Sequence, residues 1–312
     1  MNHFARALDL AERGRGKVDD HPLVGAVVVA GDEVVGEGWY EYVTVDHAEA
    51  RALAQAGERA RGATLYVTLE PCAHHGRTPP CTDAVIDAGI ARVVVGALDP
   101  NPVAAGGLEK LRAAGIEVEL LESEDARRQN EAWRTWKALG RPFVTYKAAV
   151  TLDGRISVPG QRWISSEESR RFVHELRAAA DAVAVGMGTV RADAPRLDAR
   201  DVGAVRQPRR LAFGRGPLPE GSELELRSGT LEDELHALAA EGVKSLLLEG
   251  GPTLATSFFE ADLVDKLLLF VAPVLGGEGQ RFVGESVQLD LSRFAIRRVG
   301  EDVLMEAYVH QL

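Results

Sequence analysis

The chain has 312 residues, 46% of them hydrophobic and 27% charged, which suits a soluble globular protein of two ordinary domains and excludes a disordered one. Lys and Arg number 36 against 47 Asp and Glu, and the resulting charge of -11 argues against bulk electrostatic binding to nucleic acid or an anionic membrane surface. No apolar run approaches the ~20 residues of a membrane span, and Met1-Asn2-His3-Phe4-Ala5-Arg6 holds no apolar signal core, so a cytoplasmic location is expected.

Apolar spacing predicts a helix over His3 to Arg13, and the continuous run Leu23 to Ala30 predicts a buried strand that turns at Gly31-Asp32 into Val34-Val35. Helices are expected over His47 to Ala56, Thr82 to Ala88 and Leu108 to Ala114, with strands over Ala63 to Leu69, Arg92 to Ala97 and Ile116 to Leu121. Strands alternating with helices of about ten residues imply an α/β/α sandwich. Glu124 to Leu139 reads as one charged helix closed by Gly140 and Pro142, its Trp133 and Trp136 expected to pack between domains. The domains are accordingly set at 1–142 and 143–312.

The second half restarts the alternation. Strands are expected over Phe143 to Val150, Asp181 to Val185, Arg210 to Phe213, Ser245 to Glu249 and Lys266 to Val271. Helices are expected to about Ala179, over Thr230 to Ala240 and from Gly251, the first opened by a capping-box pattern in Ser165-Ser166-Glu167-Glu168. Asp198 to Pro208 and Gly214 to Gly229 read as surface loops. Gly186-Met187-Gly188 is a weak dinucleotide fingerprint, because Arg191 stands at its third glycine position. Gly250-Gly251-Pro252-Thr253 lies between a strand and a helix, where free amides and the helix dipole can hold a phosphate.

Chemistry concentrates in the first half. Cys72 and Cys81 are the only cysteines, and in a reducing compartment they read as metal thiolates rather than a disulfide. A zinc hydrolytic site needs three protein ligands and an open position for water, which His47, Cys72 and Cys81 can supply. Glu49, two residues beyond the histidine, is then the carboxylate that moves protons between water and a leaving amine. This His-x-Glu followed by Pro-Cys is the signature of zinc nucleobase deaminases, although eight residues separate the two cysteines here instead of two.

The full segment Thr68-Leu69-Glu70-Pro71-Cys72-Ala73-His74-His75-Gly76-Arg77-Thr78-Pro79-Pro80-Cys81 resembles the signature of the bifunctional riboflavin-biosynthesis deaminase/reductase family. Lys147 and Thr151-Leu152-Asp153-Gly154-Arg155, Trp163-Ile164-Ser165-Ser166, Val185 to Val190, Asp193 to Leu197 and Leu248 to Leu254 follow the same family in order. The resemblance implies a cytidine-deaminase-like α/β/α domain that deaminates a diaminopyrimidine ribosyl phosphate. It implies a dihydrofolate-reductase-like α/β domain that then reduces the ribose to ribityl with NADPH. His74 and Arg77 would meet the phosphorylated substrate in the first domain. In the second, Lys147, Gln161, Arg177, Leu197, Arg200 and Glu249 map to the substrate, with the two arginines near its phosphate. Ala149, Trp163, Thr189, Asp193 and the turn Gly251, Pro252, Thr253, Leu254, Ala255, Thr256 and Ser257 map to the cofactor. A homo-oligomer acting on a small molecule, with no nucleic-acid or membrane partner, is expected.

Gln161 stands where the family uses a small hydroxyl residue, and in the first domain four residues depart from the family pattern. His21 stands where an Asn precedes the proline, Tyr40 where a His stands seven residues before the zinc ligand, and Val43-Thr44 where the family has Ala-Gly. The first two contact the pyrimidine or its ribose in the family. The alternative reading is therefore a paralogue whose deaminase half accepts a related pyrimidine or pterin-like metabolite, or is weak. A zinc-stabilised scaffold without deaminase activity is the non-enzymatic reading, and Glu49 speaks against it.

Overall fold

A computed structural model describes residues 2–15, 17, 18, 20–41, 46–76 and 78–310. The chain divides into two compact units, one ending at Leu139 and the other beginning at Gly140.

The first unit runs α1 (His3–Glu12), β1 (Gly25–Ala30), β2 (Glu33–Trp39), α2 (Ala48–Ala56), a 3-10 turn (Gly57–Ala60), β3 (Thr64–Leu69), α3 (Cys81–Asp87), β4 (Arg92–Ala97), α4 (Gly107–Ala113), β5 (Glu117–Leu120), α5 (Glu124–Gln129) and α6 (Glu131–Leu139). The sheet order is β2-β1-β3-β4-β5, with β1 antiparallel to β2 and β3, and with β3, β4 and β5 parallel. The unbroken apolar run of β1 is explained by burial on both faces. Val27 and Val29 meet Ala7 and Leu10 of α1 on one side. Ala26 and Val28 meet the layer that includes Ala52, Val85 and Leu111 on the other. The result is the three-layer sandwich expected.

Two glycines of β2 set the height of α2. A Cβ on Gly36 would stand 2.0 Å from the Ala52 carbonyl oxygen, and one on Gly38 would stand 2.1 Å from that of Ala48. The helix backbone therefore rests directly on the strand, a separation no larger residue permits.

The expected single helix from Glu124 is two helices. Asn130 breaks it, because its side chain accepts from the Leu23 N–H and donates to the Leu23 carbonyl, both at 2.8 Å. That exchange fastens the strand-leading segment to the helical layer and takes Asn130 out of the helix. Trp133, expected between domains, is committed to the first unit, where its indole N–H donates to the Asp20 carbonyl at 3.2 Å.

The second unit contains β6 (Phe143–Thr151), α7 (Glu167–Ala179), β7 (Ala182–Gly186), α8 (Met187–Asp193), β8 (Arg209–Phe213), β9 (Glu225–Arg227), α9 (Leu231–Ala240), β10 (Ser245–Leu248), α10 (Pro252–Glu260), β11 (Lys266–Ala272), β12 (Ser292–Val299) and β13 (Asp302–Tyr308). Its sheet order is β12-β13-β11-β6-β10-β7-β8-β9, parallel from β11 to β9 and closed by antiparallel β13 and β12. Leu235, Leu238, Ala255 and Phe258 cover one face, and Val173 and Val190 belong to the clusters that cover the other.

Two expectations are corrected, and the elements α8, β12 and β13 lie outside them. The stretch Gly214 to Gly229 is not all loop, since β9 pairs with β8 inside it. The short alternation in β12 and β13, whose outer strand is mostly exposed, escapes a periodicity search tuned to buried runs. Helix α8 follows Gly186 directly, without a capping signal. The cap of α7 is Ser166, which accepts from Ser169 N–H, so the reciprocal glutamate of a capping box is missing.

Asp153, in the Thr151-to-Arg155 motif, is a structural anchor. It accepts from Gly276 and Gly277 N–H at 2.7 and 3.0 Å and from Thr151, and these bonds lower its carboxyl to about 2.

The second unit begins with a buried clasp. Arg141 donates twice to Asp265, at 2.7 and 2.8 Å, and Asp265 also accepts from Val144 N–H at 2.8 Å. Arg141→Gln leaves that carboxylate buried without its guanidinium and is expected to destabilise the unit by about 3–5 kcal/mol. The check is the urea midpoint of the full chain, which should fall; an unchanged midpoint removes the clasp from the stability of this unit.

Candidate active sites

His47 is the N-cap residue of α2, Cys72 follows β3 and Cys81 opens α3. The His47 Nδ1 stands 3.1 Å from Cys81 Sγ and 3.7 Å from Cys72 Sγ, and the Cys81 backbone N–H donates to Cys72 Sγ at 3.4 Å. All three ligand atoms lie within 4.8 Å of one another. The shared hydrogen bond with Cys81, aided by His47, holds the Cys72 thiol down at about 4, while the same bond and burial push Cys81 up. The two sulfurs and the imidazole thus already share hydrogen bonds of the kind a divalent ion replaces. One imidazole and two sulfurs at this spacing fit zinc with a coordination position left for water.

Glu49 sits on the first turn of α2 and is buried, and burial raises its carboxyl above the ordinary carboxylate range. It faces the same cavity of about 350 Å³ as His47 and Cys72. His21 and Tyr40 line that cavity with their ring centroids 5.0 Å apart, and Tyr40 meets the His47 ring edge-on at 5.7 Å. The two departures from the family pattern are therefore one contact beside a metal ligand. His74 lines the cavity as well, and its Nδ1 is buried with no partner among the described residues. Arg77, Val43 and Thr44 lie outside the described residues.

The cavity also gathers groups that the sequence reading left without a role. Trp133 and Lys137 of α6 contribute one wall, and Asp99 and Asn101 another. Burial raises the Asp99 carboxyl to about 6. The cluster Asp99-Pro100-Asn101-Pro102 was the available signal, since four turn-forming residues after a strand mark a built loop.

In the second unit, Lys147 of β6, Arg177 of α7 and Glu249 just after β10 converge. Arg177 donates to Glu249 through Nε at 2.6 Å and Nη2 at 3.0 Å, and Lys147 Nζ stands 3.6 Å from Glu249 Oε2. Side-chain exposures of 15%, 14% and 9% make this a buried cluster with one cation in excess. Burial lowers the Lys147 ammonium. Burial also opposes ionisation of Glu249, but Lys147 and Arg177 outweigh it and hold the carboxyl below its usual range.

The remaining positions fall around this cluster unevenly. Arg177 also donates to the Asp198 carbonyl at 3.2 Å. Leu197 has φ 54° and buries its side chain, while Arg200 is exposed and paired with Asp198 at 2.5 Å. Trp163 is exposed between Arg162 and Arg170, at 5.2 and 5.4 Å, and Gln161 is exposed on the turn before it. Gly251 caps α10 without a side-chain bond, Pro252 follows, and Thr253 is exposed. A Cβ on Gly251 would lie 3.5 Å from Thr189 Oγ1, so the first turns of α8 and α10 meet. Asp193 is exposed at the end of α8, and Ala149 is half-buried in β6. Leu254 packs against Gly186 and Gly250, and Ala255 is in the core. Thr256 and Ser257 donate to the Pro252 and Thr253 carbonyls. The end of the 251–257 turn is thus engaged within the unit, and its beginning is open.

A deaminase sandwich bearing a His/Cys/Cys cluster, followed by a separate α/β unit with its own buried charge cluster, defines a two-part deaminase and reductase. Residues 1–97 match the cytidine and deoxycytidylate deaminase zinc-binding region, and residues 142–305 match the RibD C-terminal domain. The chain belongs to the RibD family. It is 40% identical to the riboflavin biosynthesis protein RibD of Aquifex aeolicus, over 97% of each chain. Its structure is similar to form 1 of Acinetobacter baumannii RibD, with a TM-score of 0.83, 34% identity and coverage of 99% and 98%. It is also similar to a Thermotoga maritima diaminohydroxyphosphoribosylaminopyrimidine deaminase/5-amino-6-(5-phosphoribosylamino)uracil reductase, with a TM-score of 0.82, 34% identity and coverage of 98% and 97%.

Purified protein should hold near-stoichiometric zinc that Cys72→Ser removes; a native Cys72–Cys81 disulfide would overturn the ligand set. Gly38→Ala should lift α2 without touching a ligand and weaken zinc by roughly 10–100-fold in chelator competition, the range for groups that support ligands.

Proposed function

We propose that the first unit hydrolyses an amine from a diaminopyrimidine ribosyl phosphate, and that the second reduces the ribose of the product to ribityl with NADPH. The observation that carries this reading is the convergence of Glu49 with His47, Cys72 and Cys81 in one cavity. A structural metal site has no use for a buried carboxyl in the cavity beside its ligands. The Thermotoga relative's two activities support the pairing of these reactions in one chain.

Zinc held by His47, Cys72 and Cys81 supplies Lewis-acid activation of water. Glu49, whose carboxyl burial raises, is placed to carry a proton between the water and the departing amine. His21, Tyr40 and His74 bound the heterocycle's space, and Arg77 with His74 would answer its phosphate. In the second unit, Lys147 and Glu249 face the ribose, with Arg177, Leu197, Arg200 and Gln161 around it. The backbone N–H groups of Gly251 and Thr253, on either side of Pro252, take a cofactor phosphate, with Thr189, Asp193, Ala149 and Trp163 on the same side. The exposed Phe294 and Ile296 on edge strand β12 support a homo-oligomer. A cytoplasmic location fits a phosphorylated metabolite and NADPH, and among the described residues no helix is long and apolar enough to cross a membrane.

The test incubates purified protein with the diaminopyrimidine and NADPH, following ammonia and cofactor absorbance separately. Glu49→Gln should keep zinc and cut ammonia release by roughly 100-fold or more, the contribution of a positioned proton carrier. Reduction of the deaminated substrate should continue in that variant. Thr253→Glu places a carboxylate beside the cofactor phosphate and should weaken NADPH binding by at least about tenfold in calorimetry; equal affinity would refute the placement.

A further inference from the structure

The Glu70 carboxylate joins two ends of one loop. It is buried, and it accepts from Asp99 N–H through Oε2 at 3.2 Å and from Gly106 and Leu108 N–H through Oε1, both at 3.2 Å. Asp99 stands where the chain leaves β4, and Gly106 and Leu108 where it enters α4. A single side chain thus closes the base of the loop between them.

That loop is part of the deaminase cavity. Asp99, Asn101 and Ala104 line it, and Ala104 packs against both Cys72 and Cys81. The Ala73 N–H donates to the Ala104 carbonyl at 3.3 Å. At the base, a Cβ on Gly107 would stand 1.9 Å from the Pro71 carbonyl oxygen, so α4 begins in direct contact with the Pro71-Cys72 link. Inside the loop, Asn101 N–H donates to Asp99 Oδ1 at 2.8 Å and Val103 N–H to Asn101 Oδ1 at 3.2 Å. Those bonds shape the loop but do not tie it to the metal segment. Glu70, Gly107 and the Ala73–Ala104 bond do.

We infer that Glu70 is a positioning residue of the deamination reaction: it staples the loop Asp99 to Gly106 against the Pro71-Cys72 segment, so that the cavity wall and the thiolate ligand keep one register. This rests on the deaminase reading of the cavity. Glu70 also borders the cavity, but both of its carboxylate oxygens are taken by N–H groups of the loop, so its part is to hold the backbone on either side. Its carboxylate is suited to the task because two oxygens with four lone pairs can serve three N–H donors at once. A glutamine has one acceptor oxygen, and its NH₂ would oppose the Asp99 N–H. Glu70→Gln therefore releases the β4 end of the loop while the α4 end stays held, and Glu70→Ala releases both.

The experiment compares the full-length zinc-loaded protein with these two variants. Zinc content is measured by metal analysis, and deamination of the diaminopyrimidine by ammonia release. Amide hydrogen exchange is followed at Asp99, Gly106 and Leu108, and the reductase rate on the deaminated substrate reports that the chain is folded. For Glu70→Gln we expect full zinc, exchange faster at Asp99 than at Gly106 or Leu108, and a deaminase KM raised roughly tenfold with kcat changed less. Glu70→Ala should speed exchange at all three amides and accelerate zinc loss to a chelator. Full zinc with unchanged KM and unchanged Asp99 exchange in Glu70→Gln would overturn the inference. Equal loss of kcat and of zinc in that variant would overturn it too, because Glu70 would then serve only the metal shell. If no variant of the chain, nor the unaltered protein, releases ammonia from the diaminopyrimidine, the deaminase reading fails, while the exchange pattern still tests the staple.

Discussion

A helix backbone can lie on a strand only where the strand has no side chain, and the deaminase cavity depends on that restriction. Gly36 and Gly38 bring α2 down onto β2 until carbonyl oxygens of the helix occupy the space of absent Cβ atoms. His47 and Glu49 stand at the lowered end of that helix, so their height above the sheet is set by contacts between backbones, which have few ways to relax. The same device recurs where Gly107 meets the Pro71 carbonyl next to Cys72. Two of three metal ligands are thus placed by glycines that carry no chemistry. Cys81 is tied in by its own N–H to Cys72. Geometry held to fractions of an ångström by rigid elements is what a metal site and a proton carrier both need.

The reductase cluster is organised differently, by charge rather than close approach. Glu249 is clasped by both nitrogens on one edge of Arg177, a planar fork that fixes the carboxylate plane, and Lys147 stands farther off at 3.6 Å. Two cationic side chains face one carboxylate, all buried, which biases the cluster towards positive charge although burial lowers the Lys147 ammonium. Such a site favours a ligand that is anionic or that gains electron density during reaction, and burial amplifies the preference. The protein's net charge of -11 therefore says little about its ligands. Excess acid lies on the surface, whereas the cations that matter are local and enclosed.

Much of this was legible in the residues. The strand Leu23 to Ala30, the His-x-Glu opening a helix, and the order of motifs after Lys147 lead to the fold and the metal cluster, because buried runs and ligand types leave a direct trace in sequence. What was not legible depended on long-range partners. Nothing local distinguishes Asn130 from a helical asparagine until Leu23, over a hundred positions away, offers both backbone groups to it. Trp133 looked like a residue of a domain boundary because a charged helix gives no sign of the wall it faces. The edge strand β12 is mostly exposed and has no buried alternation to detect, and in β13 the charged Glu306 interrupts the apolar residues Val303, Leu304, Met305, Ala307 and Tyr308. The pairing of Arg177 with Glu249, seventy-two positions apart, likewise has no local trace.

The contact between His21 and Tyr40 bears on how this chain relates to its family. Changing a single polar wall residue in a built site leaves its former partner unmatched, which is costly. Here two departures occur together, and they touch each other at 5.0 Å while Tyr40 keeps an edge-on contact with the His47 ring. His47, Cys72 and Glu49 are placed by glycine contacts elsewhere in the unit and Cys81 by its own N–H to Cys72, so this wall can be exchanged without moving the chemistry. A paired replacement that preserves aromatic packing beside the ligand fills the same volume with a different set of donors. That is the form compensation takes when a cavity keeps its reactant and alters the means of holding it, and it agrees with membership of the RibD family across nearly the whole chain.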